Sequence, residues 1–184
     1  MRIWTVLSLL VIAGVVTADP PKPEATKPVE VTLDGLTSAV PQSWKAEKPS
    51  NSGRSYQFKL PRTNGDKEDG MIFVLPTVHG TAHENIEMLK GLFILSTSMT
   101  KTEALHEWEF KNAKATLTCL DIQGTFRVKD KPLDDSLKEV HPDYRMIAAV
   151  WVSKDASYSI RMFGPRKTLD GHAKEFEQWL RNFK

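Results

Sequence analysis

Between residues 168 and 183, apolar side chains return at Leu169, Ala173, Phe176, Leu180 and Phe183. Steps of four and three place them on one stripe of a 3.6-residue helix. The pattern predicts an amphipathic C-terminal helix with Thr168 as its N-cap. A second helix is predicted behind Thr81-Ala82-His83-Glu84, where the Thr hydroxyl and Glu carboxylate can each satisfy an orphan backbone N–H. Ala82, Ile86, Leu89 and Phe93 follow at helical spacing, and Met88, Leu92 and Leu95 widen that stripe.

The rest of the chain alternates as strands do. Residues 29–40 predict one or two short strands broken by Asp34-Gly35, a tight-turn pair, and Pro41-Gln42-Ser43-Trp44 ends that run. Residues 55–60 place Tyr56, Phe58 and Leu60 on one face. Residues 71–75 are continuously apolar, as in a strand covered on both sides. Strands are predicted at 102–110 and 115–128, the second with Leu120, Ile122, Gly124 and Phe126 on one face. Residues 144–152 and 157–163 form a predicted hairpin around Lys154-Asp155-Ala156, and the apolar stretch 146–152 predicts a central strand. Residues 45–53 and 129–142 read as polar loops, and Asn64-Gly65-Asp66 as a turn. Strands exceed helices and are joined by turns, so the fold class is α+β: a mostly antiparallel β-sheet with helices packed on its faces.

The first 28 residues have another character. Arg2 is followed by an apolar run over 3–16, interrupted by Thr5, Ser8 and Gly14, and then by Val16-Thr17-Ala18. A positive start, a short apolar middle and small residues at the end make a secretory signal peptide, cleaved after Ala18. The run is shorter than the ~20 residues a membrane-crossing helix needs. Residues 19–28 hold Pro20, Pro21, Pro23 and Pro28 and read as an extended linker. Residues 29–184 are then a single domain. The expected location is extracytoplasmic, secreted or periplasmic. Asp19 rather than a cysteine would begin the mature chain, which removes lipid attachment there. No second apolar span follows, so a freely soluble monomer is expected.

Hydrophobic residues at 40% and charged residues at 26% are ordinary globular values. Lys and Arg number 25 against 23 Asp and Glu, and loss of Arg2 with the leader lowers the formal net charge from +2 to +1. Such a balance, without a basic run, argues against nucleic acid as a partner. Cys119 is the one cysteine, so no internal disulfide is possible. It sits in a strand-like stretch without a neighbouring His or Lys, which favours a buried apolar role over a reactive thiol.

A set of short motifs carries a resemblance. Pro41-x-x-Trp44 and Arg54-x-x-Gln57-Phe58 come first, then a helix opening near Asn85-Ile86. Leu120-Asp121-Ile122-Gln123-Gly124-Thr125-Phe126, Tyr144-Arg145-Met146 and Gly164-Pro165 follow, ahead of a helix containing Phe176. Together they resemble small exported bacterial proteins of unknown function of the planctomycete type. Their element order is similar to the PsbP-like fold, the α/β/α sandwich of the oxygen-evolving accessory proteins of photosystem II. The resemblance spans most of residues 29–184. It implies that sandwich and a noncatalytic accessory or binding role, and it brings no active-site residue with it.

Candidate chemistry is sparse. His79 and His83, four apart with Glu84 and Glu87 near, could hold a zinc ion on one helix face. Gly80 and the Thr81 cap place His79 ahead of the helix, so solvated histidines are the plainer reading. His106, Glu107 and Glu109 lie on a strand-like segment, where alternation sends both glutamates to one face and His106 to the other. His141, His172 and Asp121 could serve an enzyme with a dispersed His/carboxylate site. Arg161, Arg166 and Lys167 precede the last helix, whose N-terminus could attract an anion, although Asp170 competes and no glycine-rich cradle is present. Trp151 reads as core, and Trp179 as an edge residue or partner surface. No nucleophile elbow, P-loop, dinucleotide fingerprint, C-x-x-C or H-E-x-x-H occurs. No catalytic, cofactor-binding or metal-ligating residue is assigned, and no cofactor is expected. The expected function is a noncatalytic binding or accessory module for a protein or small-molecule partner. The rivals are the dispersed-site enzyme and a weak metal-binding protein.

Overall fold

The structure is a computed structural model and describes residues 29–63, 65–129 and 137–184. The leader at 1–18, the linker at 19–28 and residues 130–136 of the expected loop at 129–142 lie outside the described residues.

Strands β1 (Glu30–Leu33) and β2 (Leu36–Ala39) form a hairpin of their own. Asp34 and Gly35 connect them with φ of 51° and 74°. Two central residues at positive φ make the turn whose twist matches that of its strands. The main sheet is built from β3 (Lys45–Glu47), β4 (Tyr56–Leu60), β5 (Gly70–Pro76), β6 (Phe93–Leu95), β7 (Leu105–Lys111), β8 (Thr116–Lys129), β9 (Leu137–Val152) and β10 (Ser157–Pro165). Its order is β3-β4-β5-β10-β9-β8-β6, antiparallel throughout, and β7 pairs with β8 beside β6. The helices are α1 (Ala82–Lys90), α2 (Lys101–Ala104) and α3 (Arg166–Arg181).

The long strands β8 and β9 feed two cores through their alternation. Leu117, Cys119, Ile147, Ala149 and Trp151 join one cluster with α3 and the β1–β2 hairpin. Leu120, Ile122, Met146, Ala148 and Val150 join the other with Ile86 and Leu89 of α1. Both faces of the middle of the sheet are therefore apolar and covered, as the continuous run at 146–152 predicts. The α3 side is rich in aromatics. Trp179 meets Trp44 edge-on at 5.3 Å and Phe183 at 5.1 Å, and Phe183 meets Trp151 at 5.3 Å. Burial of each such ring contributes about 1.5–3 kcal/mol. The hairpin is tied to the end of α3: Ser38 Oγ donates to the Trp179 carbonyl at 3.0 Å, and Thr37 and Lys184 exchange backbone hydrogen bonds of 3.0 and 3.3 Å.

Several expectations are corrected. Residues 45–47, expected in a loop, form β3, an edge strand whose side chains are all exposed. The apolar run at 71–75 is buried only at alternate positions, Ile72 and Val74 facing the α3 side. The α1 stripe ends at Leu89, because the helix stops at Lys90 with Gly91 as its cap, and Phe93 lies on β6. Residues 101–104 are a helical turn closed by a second capping box, Thr100 with Glu103. Residues 137–142 belong to β9. Thr168 is not the N-cap of α3, which starts at Arg166. Its backbone N–H instead donates to Asp66 Oδ2 at 2.6 Å, and its hydroxyl accepts from the Thr63 N–H at 3.2 Å. Trp179, expected at an edge, is fully buried. Among the described residues, no helix is long and apolar enough to cross a membrane.

Candidate functional site

β7 runs along β8 with His106 opposite Asp121 and Trp108 opposite Cys119. Alternation therefore sends His106 and Trp108 to the α3 side and Glu107 and Glu109 to the α1 side, and the split of His106 from the two glutamates is the expected one. On the α1 side, Glu107 is ion-paired with Lys90, and Glu109 accepts from Thr118 Oγ1 at 2.7 Å. On the α3 side a groove of about 530 Å³ opens between the sheet and the helix. His106 and Trp108 line it from β7, Asp121 from β8, Arg145 and Ile147 from β9, and Ala173, Lys174 and Glu177 from α3.

The groove combines a flat aromatic surface with neutralised charge. The His106 and Trp108 rings stack with centroids 5.2 Å apart and planes 15° from parallel. The Trp108 Nε1 atom is buried without a hydrogen-bond partner among the described residues. Arg145 grips Asp121 with two bonds, Nε to Oδ1 at 2.9 Å and Nη2 to Oδ2 at 2.6 Å. Its Nη1 donates to Asp170 Oδ1 at 2.6 Å. Arg166 extends the chain of charges, reaching Asp143 at 2.7 Å and Asp170 at 3.5 Å. Burial alone would push the Arg145 guanidinium down, but its bonds to Asp121 and the charges of Asp121 and Asp170 outweigh this and hold it above its ordinary value. Parallel two-bond pairs of this kind fix orientation as well as charge.

The remaining candidates do not converge. His79 lies ahead of α1, with its carbonyl accepting from Asn85 Nδ2 at 2.8 Å. His83 is exposed, 4.0 Å from Glu87. Glu84 is engaged in the helix cap, where the Thr81 N–H and hydroxyl hold its carboxyl below the usual range. Among the described residues, no group of three or more His, Cys, Asp and Glu is placed to hold a metal ion. His141 packs its ring 4.8 Å from Tyr144 and 6.1 Å from Phe126. His172 is buried, with Nε2 3.2 Å from the Pro61 carbonyl and Nδ1 3.5 Å from Glu175. Asp121 accepts from Arg145 through both of its oxygens. The start of α3, considered as an anion site, is engaged from within: Asp66 takes the Thr168 N–H, Arg166 is ion-paired, and Arg161 stands on β10.

Cys119 is fully buried between the sheet and α3. Burial pushes its thiol up to about 12, because the thiolate would lose its hydration. In the unfolded chain the thiol ionises near 9, its ordinary value. The folded state therefore holds the extra proton between these values, and stability falls as pH rises through that window. The expected slope is about 1.4 kcal/mol per pH unit from this one group. Denaturation of the protein and of Cys119→Ala from pH 8 to 11 checks it, with the shallower decline expected in the variant. Parallel declines in the two proteins would count against a protonated buried thiol.

The chain is thus an α+β protein, a mostly antiparallel β-sheet with three helices among the described residues, carrying an aromatic groove between sheet and helix. No protein-family model matches it, and no curated protein matches it either. Two parts of the groove were missed by sequence reasoning. His106 and Trp108, two apart on a strand, necessarily share a face, and that signal was present. The Arg145–Asp121 pair depends on the pairing of β8 with β9 and becomes visible only with the register in hand.

Proposed function

We propose that this chain is an exported, noncatalytic binding module of the PsbP-like kind suggested by its motifs, released after Ala18, and that it recognises its partner through the groove between β7 and α3. The observation that carries the reading is the His106–Trp108 stack beside charges that neutralise one another. A flat amphipathic surface of this sort suits an apolar or planar group of a protein or small molecule. Asp121, held through both oxygens by Arg145, serves the framework of the groove rather than a proton transfer.

A photo-crosslinking residue placed at His106, and another placed at Met88 on the exposed side of α1, test the reading in cells that make the protein. A partner captured from position 106, absent from position 88 and lost on Trp108→Ala supports it. Capture of the same set from both positions, or capture indifferent to Trp108→Ala, would move the binding surface away from the groove.

A further inference from the structure

The opposite side of the sheet holds a different arrangement. α1 packs on β8 and β9, and its apolar cluster takes Phe163 from the end of β10. Phe58, Ile72, Val74, Ile160 and Met162 face α3, so the alternate residues Gln57, Phe73, Ser159 and Arg161 face away from it. Phe73 and Arg161 are direct cross-strand partners. The Arg54 guanidinium carbon stands 4.1 Å from the Phe73 ring centroid and that of Arg161 stands 5.9 Å from it. All three residues are half-buried.

Both guanidiniums are held by neutral acceptors. Arg54 Nη1 donates to Gln57 Oε1 at 2.7 Å, and Arg161 Nε donates to Ser159 Oγ at 2.9 Å. Neither has a carboxylate within ion-pair distance among the described residues, whereas Arg145 and Arg166 each hold two. The cost of the arrangement is visible: burial lowers both guanidiniums from their ordinary values, and the Arg54 charge lowers Arg161 further. A cation removed from water is stabilised by an opposite charge brought to it. The ring face contributes a modest attraction to each cation, but it supplies no counter-charge. The terminal amino groups of Arg161 make no hydrogen bond to described residues, and a guanidinium edge matches phosphate and carboxylate geometry through paired N–H donors.

We propose that Arg54 and Arg161, set around the Phe73 ring, form a binding site for an oxyanion: the phosphate, sulfate or carboxylate group of a ligand. The site lies on the other side of the sheet from the groove and stands independently of it. Gln57 and Ser159 hold the two forks, and Phe73 forms the apolar floor between them.

Titration of the protein with inorganic phosphate, and separately with sulfate and acetate at constant ionic strength, tests this through the arginine Nε–Hε resonances. The expected result is a saturable shift of Arg54 and Arg161 together, with affinity reduced at least tenfold in Arg161→Gln and in Arg54→Gln and unchanged in Lys154→Gln. Arg54 lies in a loop ahead of β4, so its variant remains informative if Arg161→Gln fails to fold. A tighter response to phosphate or sulfate assigns a tetrahedral anion and a tighter response to acetate a carboxylate; either ranking upholds the site. Absence of saturation with all three anions, or binding that survives in Arg54→Gln at full strength, overturns it.

Discussion

Gly124→Ala is expected to detach β6 from the sheet and to lower stability by about 3 kcal/mol, at the upper end of the ordinary range for overpacking. A Cβ at this position would stand 2.0 Å from the Ile94 carbonyl oxygen and 2.9 Å from the Ser96 nitrogen. Both atoms are backbone, so no side-chain rotation can relieve the clash. β6 is only three residues long, and Leu95 pairs directly with Gly124. If β6 moves, the Ser96 N–H loses the Gln123 carbonyl at 3.2 Å and the Arg127 N–H loses the Leu92 carbonyl at 2.9 Å. Phe93, buried against Phe126 at 5.4 Å, becomes exposed. Urea denaturation with hydrogen exchange at the Ser96 and Arg127 amides measures both effects. A wild-type midpoint with these amides still protected would show that the backbone around Gly124 can yield.

The second large effect is expected at Arg145. Its side chain is 14% exposed and that of Asp121 is 18%, so the pair is mostly removed from water. Arg145→Met leaves Asp121 with two oxygens that have lost their donors, and it leaves Asp170 with only the longer contact to Arg166. Removing one partner of a fully buried pair costs about 3–5 kcal/mol. The residual exposure here reduces the expected loss to about 2–3 kcal/mol, because water can reach part of the orphaned carboxylate. Adding Asp121→Leu to Arg145→Met is expected to recover at least half of that loss, since the more buried of the two carboxylates is then no longer left without its donors. The four proteins form a double-mutant cycle read by chemical denaturation. A double variant as unstable as the sum of the singles would mean that Asp121 and Arg145 act separately.

The contrast between elements that could be read from the sequence and those that could not follows from burial. α3 was legible because Leu169, Phe176, Leu180 and Phe183 all enter one core at helical spacing. The hairpin at Asp34-Gly35 was legible because its turn demands residues that tolerate positive φ. β3 left no trace, since Lys45, Ala46 and Glu47 are all exposed and an edge strand needs no apolar face. The start of β9 was hidden by Pro142 and its polar neighbours. Thr100 and Glu103 repeat the signature of Thr81 and Glu84, so α2 was written in the chain, though its four residues are too few for a periodic stripe. In the groove, the alternation of His106 with Glu107 was readable, while the meeting of Arg145 with Asp121 and Asp170 required the packing of β8, β9 and α3 together. The arginines around Phe73 were likewise out of reach, because Arg54, Phe73 and Arg161 come from three separate segments.

The backbone bonds between Thr37 and Lys184 have a kinetic consequence. The β1–β2 hairpin leaves the ribosome before α3 and finds its seat only when that helix has arrived. Until then Val31, Leu33 and Leu36 have no Trp179 or Phe183 to cover them. Closing so long a loop late in folding is slow compared with forming local turns. Docking of the β1–β2 hairpin on the end of α3 is therefore expected to follow formation of the local turns between them.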